Sequence, residues 1–275
     1  MPQTPHIAFI GAGNMAQAIL KGMLAAGYPQ SKISASGRTQ SKLDVLAADT
    51  GIYTSTDNLA LCHQADVIVL GVKPHMMGDL VQSIAPAVDV SRQLIVSVAA
   101  GILANSIEIW LGKKVPIVRC MPNTPSLVGQ GAAGLFATDR VSPTQKQTAS
   151  TIMQSVGLAL WVETEAHIDA VTAVSGSGPA YYFLMMEAMI AGAEKLGLTN
   201  DVAQQLVLQT AAGAAQMAQQ SQQTPAQLRV AVTSPNGTTE QAINTFNDGD
   251  FSQLCSQAMT AAHHRSKELA QLFKA

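Results

Sequence analysis

The run Ile7-A-F-I-G-A-G-N-M-Ala16 constrains this chain more than any other segment. A short apolar stretch stops at a glycine, and apolar residues at helical spacing follow at once. Gly11, Gly13 and Ala16 form G-x-G-x-x-A between the expected strand and helix. In that context the first glycine permits a tight turn and the second lets the backbone approach a pyrophosphate. The small third residue lets the helix pack on the strand. The helix start at Asn14 and Met15 would offer free N–H groups and the positive end of the helix dipole to phosphates. The plain alternative is a glycine turn with only a packing role. The strand-turn-helix setting favours a dinucleotide.

The rest of the first half repeats this alternation. His6–Ile10, Ile33–Ser36, Val67–Gly71, Leu94–Val98 and Val115–Cys120 read as buried strands, short and mostly rich in Ile and Val. Helical stretches such as Asn14–Ala26 and Ser41–Ala48 lie between them, which predicts parallel strands with helices on both faces. Two more strands are expected around Gly134–Ala137 and Leu160–Val162, flanking a helix from about Thr144 to Ser155. After Glu165 the pattern becomes helical: Pro179–Leu196, 201–220 and Phe251–Phe273. The expected organisation is a Rossmann-type doubly wound α/β domain over residues 1–163 and an all-α domain over 164–275. Pro179–Leu196 is apolar or small-sided on nearly every face, so it must be buried. A small helical domain cannot easily bury it alone, so a second chain is expected.

Cofactor choice should be set at the end of the second strand, where NAD sites usually carry an acid. Here Ser34-A-S-G-R-T-Q-S-Lys42 has none. Ser36, Arg38 and Thr39 offer hydroxyls and a cation, which suit a 2′-phosphate. NADPH is expected over NADH; the alternative is a solvated loop arginine. Leu70-G-V-K-P-His75 closes the third predicted strand on the ligand-facing edge, so Val72, Lys73 and Pro74 join the expected cofactor set. Lys73 reads equally as a surface lysine, and His75 reads better as a cap or surface residue than as an acid. Ser97-V-A-A-Gly101 and Met121-P-N-T-Pro125 also follow strands. Small residues such as Ala99 leave room for a nicotinamide ring, and Asn123 or Thr124 can bond its carboxamide; ordinary connecting loops are the alternative.

Two further segments carry chemistry. Val174-S-G-S-G-P-A-Tyr181 reads as a Gly-Ser turn that starts the long helix or presents N–H groups to a ligand. In Val232-T-S-P-N-G-T-Thr239, Pro235-Asn236-Gly237 is a turn, and Thr238 and Thr239 open a helix. That gathers hydroxyls and free amides into a small-anion nest. A bare cap would need only one of those hydroxyls.

Composition excludes other classes. Net charge is −2 and no long basic run exists, which argues against nucleic acid. No apolar run is long enough to span a membrane, and the first apolar stretch lacks a basic flank, so neither a membrane span nor a signal peptide is expected. Cys62, Cys120 and Cys255 are scattered, with no metal-like spacing, so no metal is expected and the cytoplasm is the natural compartment. Charged residues are only 12%, against about 25% in an average domain, which hints at oligomerisation or at a simply Ala-rich helical protein.

These segments together resemble the pyrroline-5-carboxylate reductase family, in order and spacing, nearly end to end: Ile10-G-A-G-N-M-Ala16, Val72-K-P-His75, Ser97-V-A-A-Gly101, Met121-P-N-T-Pro125, Val174-S-G-S-G-P-A-Tyr181 and Val232-T-S-P-N-G-T-Thr239. The resemblance implies NADPH-dependent reduction of 1-pyrroline-5-carboxylate to L-proline, the last step of proline biosynthesis. It implies a homodimer with interlocked helices, often a ring of dimers, and an active site completed by the partner chain. By resemblance, Ser234, Gly237, Thr238 and Thr239 hold the substrate carboxylate, and Thr239 approaches the ring nitrogen as the catalytic contact. The chain departs from the family where Asn236 replaces a common glycine and where Gln222 and Val230 replace common acids.

Two rivals are weighed against this. A hydroxyacid dehydrogenase of similar shape would need a base on the long helix, and Lys195 lies there, but near its end beside Glu194 and before Gly197, where a solvated lysine is expected. A non-catalytic NADP sensor would keep the first motif but have no use for the Thr-Thr turn.

Overall fold

A computed structural model describes residues 4–274. Residues 1–3 and 275, the outer bounds of the expected domains, lie outside the described residues. The chain divides into two compact units: residues up to Ser177 together with those from Ala262 onward, and Gly178–Ala261.

The first unit is built on an eight-stranded sheet in the order β3-β2-β1-β4-β5-β6-β7-β8. The strands are β1 Ile7–Ile10, β2 Ile33–Ser36, β3 Tyr53–Ser55, β4 Val67–Leu70, β5 Leu94–Ser97, β6 Ile117–Met121, β7 Gly131–Ala137 and β8 Gly157–Trp161. Helices α1 Asn14–Ala25, α2 Gln40–Thr50, α3 Asn58–Gln64, α4 Met77–Ile84, α5 Ala104–Leu111, α6 Pro143–Gln154 and α7 His167–Val171 accompany it. Successive strand residues point to opposite faces, so each central strand feeds two cores. Ile7 and Phe9 of β1 join Ile19, Leu20 and Met23 of α1 and Ile152 of α6 on one face. Ala8 and Ile10 join Leu61 of α3, Val81 of α4 and Ile107 of α5 on the other. Helices on both faces are what the near-continuous apolar strands require.

Three features differ from the sequence reading. Strand β7 runs antiparallel to β6, while the other neighbouring pairs are parallel. The link from β6 to β7 holds only a 3₁₀ turn, Thr124–Val128, and is too short for a helical crossover. Strand β3 and helices α3 to α5, none longer than eight residues, were not read. Val174–Tyr181 is not a Gly-Ser turn. Thr172–Gly176 is π-helical and runs on from α7, and the N–H of Ser177 donates to the Thr172 carbonyl at 2.8 Å. Pro179 therefore follows a helical turn rather than a loop.

The second unit contains α8 Gly178–Lys195, α9 Asn200–Gln220, α10 Pro225–Ala231 and α11 Thr238–Asp248, and the first half of α12 Phe251–Leu272. Within it, Ala203 and Val207 are the buried apolar residues among those described. Tyr182, Phe183, Leu184 and Met189 of α8 are exposed, leaving large apolar side-chain surface in water.

Candidate active site

The first set of predicted residues collects along one edge of the sheet. Strands β2, β1, β4, β5 and β6 are adjacent and parallel, so their carboxyl ends share that edge. Gly11–Met15, the Ser36–Arg38 loop, Val72–Pro74, Ala99 and Asn123 follow those ends. The strand order reverses direction beside β1, and such a switch point is where an open α/β sheet leaves a crevice.

The two glycines of the first turn differ in what holds them small. Gly11 has φ of 98°, and a Cβ there would stand 2.5 Å from Val72 Cγ1, so the fold itself demands glycine. Gly13 has an ordinary φ of −73°, and a Cβ there would meet only the Gly71 carbonyl at 3.4 Å. The fold does not require glycine at 13, and the bare backbone there leaves room for a ligand to lie against it. Gly13 also caps α1 without a side-chain hydrogen bond, and no acid stands in the first turn. The amides of Asn14 and Met15 and the helix dipole are thus available to an anion. A dinucleotide pyrophosphate fits this cradle.

The neighbouring loops lock the cradle in place. The Ser36 carbonyl accepts from Gly11 N–H at 3.2 Å and from Ala12 N–H at 2.7 Å, and the Ile10 carbonyl accepts from Gly71 N–H at 2.9 Å. Ser36 itself is fully buried, and its Oγ has no partner among the described residues. Arg38 and Thr39 are the exposed members of that loop. Lys73 and His75 are also exposed, on either side of Pro74 at the start of a 3₁₀ turn. Ala99 is buried after β5. Asn123 is buried and engages backbone through both side-chain atoms: its Oδ1 accepts from Ala132 N–H at 2.9 Å, and its Nδ2 donates to the Ser175 carbonyl at 3.0 Å. It ties the loop after β6 to β7 and to the π-helical turn.

The second set lies together at the start of α11. The Ser234 carbonyl accepts from Gly237 N–H at 3.0 Å, closing the turn. Gly237 caps α11 without a side-chain bond. Thr238 and Thr239 are exposed, and neither hydroxyl has a partner among the described residues. With Gly237 at the cap position, Thr238 and Thr239 open the first turn and capping takes up neither hydroxyl. Glu240 completes the first turn of α11, and its Oε2 accepts from Asn236 N–H at 2.8 Å. The sequence reading missed this contact; the only trace was an acid directly after the Thr-Thr pair.

An ion pair between a buried arginine and a half-buried glutamate also went unread. Arg119, within β6, is 3% exposed and meets Glu165 at 2.9 Å, and the same carboxylate oxygen accepts from Ala104 N–H at 2.7 Å at the start of α5. The signal was an arginine inside an otherwise apolar strand. Lys195 stands exposed in the last turn of α8, as a solvated lysine would. Cys62 and Cys120 are buried, and burial raises both thiols, Cys62 to about 12. No group of His, Cys, Asp and Glu among the described residues could hold a metal ion. No helix among them is long and apolar enough to cross a membrane.

Comparison with known proteins places this geometry. The family model described as pyrroline-5-carboxylate reductase dimerisation matches residues 165–269. A model described as NADP oxidoreductase, coenzyme F420-dependent, matches residues 6–101. A pyrroline-5-carboxylate reductase of Pseudomonas aeruginosa is 52% identical over 268 residues, 98% of this chain and 98% of that protein. The chain belongs to the pyrroline-5-carboxylate reductase family. A solved structure of such a reductase from Coxiella burnetii superposes with a TM-score of 0.94 at 46% identity, covering 98% of this chain and 99% of that one. A Plasmodium falciparum pyrroline carboxylate reductase, solved with NADP bound, gives a TM-score of 0.85 at 30% identity, covering 97% and 98%.

Proposed function

We propose that this chain reduces 1-pyrroline-5-carboxylate to L-proline, the last step of proline biosynthesis, using NADPH in preference to NADH. The observation that carries the reading is a pair of open helix starts: α1, with no side-chain cap and a glycine the fold does not need, and α11, with two free threonine hydroxyls. One suits a pyrophosphate and the other a small carboxylate.

When bound, the reduced nicotinamide supplies a hydride that adds to the C=N carbon, and the ring nitrogen ends as an amine. In this reading Gly11, Gly13, Asn14 and Met15 hold the pyrophosphate. Arg38, with Ser36 nearby, reads the 2′-phosphate. Val72, Lys73, Pro74, Ala99 and Asn123 bound the nicotinamide side. Ser234, Gly237 and Thr238 hold the substrate carboxylate, and Thr239 hydrogen-bonds the ring nitrogen as its charge changes. A protonated imine is already electrophilic, so the protein needs to position it more than to activate it. This accords with the absence, among the described residues, of a His-Asp or lysine-centred catalytic set at the proposed site.

We assign residues 1–163 to the cofactor and 164–275 to substrate and assembly. The exposed apolar face of α8 supports a homodimer with interlocked helices, and a ring of dimers is the larger form of that assembly. The free cysteines accord with the cytoplasm. The test is NADPH oxidation with pyrroline-5-carboxylate, run beside 2- and 3-hydroxyacids with NADP. Turnover of a hydroxyacid without turnover of the imine would reverse the assignment.

A further inference from the structure

The turn before α11 holds a residue in a conformation it does not favour. Asn236 has φ of 60°, and Asp250 is the other non-glycine residue with positive φ among those described. The left-handed region is unfavourable for a residue with a Cβ, with asparagine among the more tolerant. Pro235 and Asn236 occupy the two central positions of the turn closed by Ser234 and Gly237, the pattern that asks for a positive φ at the second of them. Such a turn leaves the N–H of that second residue unused. Here Glu240 takes it, its Oε2 accepting at 2.8 Å from a half-buried side chain.

This contact does two things. A charge-assisted hydrogen bond opposes the tendency of Asn236 to leave the left-handed region. It also occupies one amide beside the nest with a negative charge, which turns an incoming carboxylate away from that amide. The anion is left with the amides and hydroxyls at Thr238 and Thr239. A Cβ at Gly237 would stand 3.0 Å from the Ser234 carbonyl, so the close turn favours glycine at its end.

We infer that Glu240 is a positioning residue for the substrate carboxylate, acting through the backbone of Asn236. This rests on the assignment of the turn to that carboxylate. It predicts that the hydrogen bond matters more than the charge, and that its value lies in holding Asn236 rather than in the stability of α11.

The experiment compares Glu240→Ala, Glu240→Gln and Glu240→Ala combined with Asn236→Gly, with pyrroline-5-carboxylate and NADPH as varied substrates. Glu240→Ala should raise KM for pyrroline-5-carboxylate about tenfold, with KM for NADPH and the melting temperature little changed. Glu240→Gln keeps an acceptor and should recover most of that loss. Asn236→Gly, which takes the left-handed turn freely, should rescue Glu240→Ala. An unchanged KM in Glu240→Ala, an equal loss in Glu240→Gln, or no rescue by Asn236→Gly would each overturn the inference while leaving the proposed activity standing. A wild-type enzyme that fails to oxidise NADPH with this imine would remove the functional reading, and this inference with it.

Discussion

The two compact units solve the burial problem in opposite ways. In the first, every central strand contributes to two cores, and Phe9, Ile19, Ile68 and Val81 are sealed from water. In the second, Ala203 and Val207 are sealed, while Phe183 is 61% exposed and Leu184 67%. A sheet flanked by helices can close its own core. A few helices that are apolar on several faces cannot, and they need more chain than one copy provides. The first unit should therefore be stable by itself, and the second stable only in an assembly.

The strongest challenge to that contrast is a charge on the exposed face of α8. Phe183→Asp with Leu184→Asp should yield a monomer in sedimentation and lower activity by about a hundredfold or more, because a buried, unpaired carboxylate is very costly. A dimer of full activity would show that this face is not covered by a second copy.

Thr239→Ala asks whether the second unit carries chemistry as well as assembly. The turnover number should fall about ten- to a hundredfold, since an unmade hydrogen bond is worth roughly 1–3 kcal/mol, with KM for NADPH unchanged. Loss of thermal stability with full turnover would reduce Thr239 to a helix-start residue.

Arg38→Ala examines the first unit in the same way. KM for NADPH should rise about tenfold, with a far smaller change for NADH, because only the former carries the 2′-phosphate. Equal effects on both cofactors would remove Arg38 from phosphate recognition.

The smallest effect is expected at Tyr28, whose hydroxyl donates to the Pro5 carbonyl at 2.6 Å within the first unit. Tyr28→Phe should cost about 1 kcal/mol, independent of protein concentration. Burial, with a smaller contribution from Asp66, raises this phenol from 10.0 to about 12. The folded state thus keeps a proton that the unfolded chain releases first. The stabilisation is complete below pH 10 and is lost as pH rises toward about 12. Calorimetry across that window should show a steeper decline for the wild type than for Tyr28→Phe.

Much of this was legible in the sequence, where local rules suffice. The strand cores at Ile33–Ser36 and Val67–Leu70 are contiguous apolar runs, and a strand buried on both faces can be little else. The Gly11 turn follows from a backbone that needs positive φ. The helix start at Thr238 follows from a Pro-Asn-Gly turn ahead of it. The uncovered face of α8 was visible as an apolar helix with no polar side.

Other features depended on what the chain meets in space. The direction of β7 was set by the short link from β6, not by its residues. The π-helical turn at Thr172–Gly176 forms where Ser175 meets Asn123 and where a Cβ on Gly176 would stand 2.5 Å from Met121 Cε. Asn123 became a strut because both its polar atoms found backbone partners. Arg119 could enter a strand core only because Glu165 stands beside it. Residue types and periodicity determine which elements form and which faces must be covered, because these depend on near neighbours along the chain. Strand direction, the pairing of buried polar groups and the Glu240 clasp on Asn236 depend on contacts between segments, and only the tertiary structure decides those.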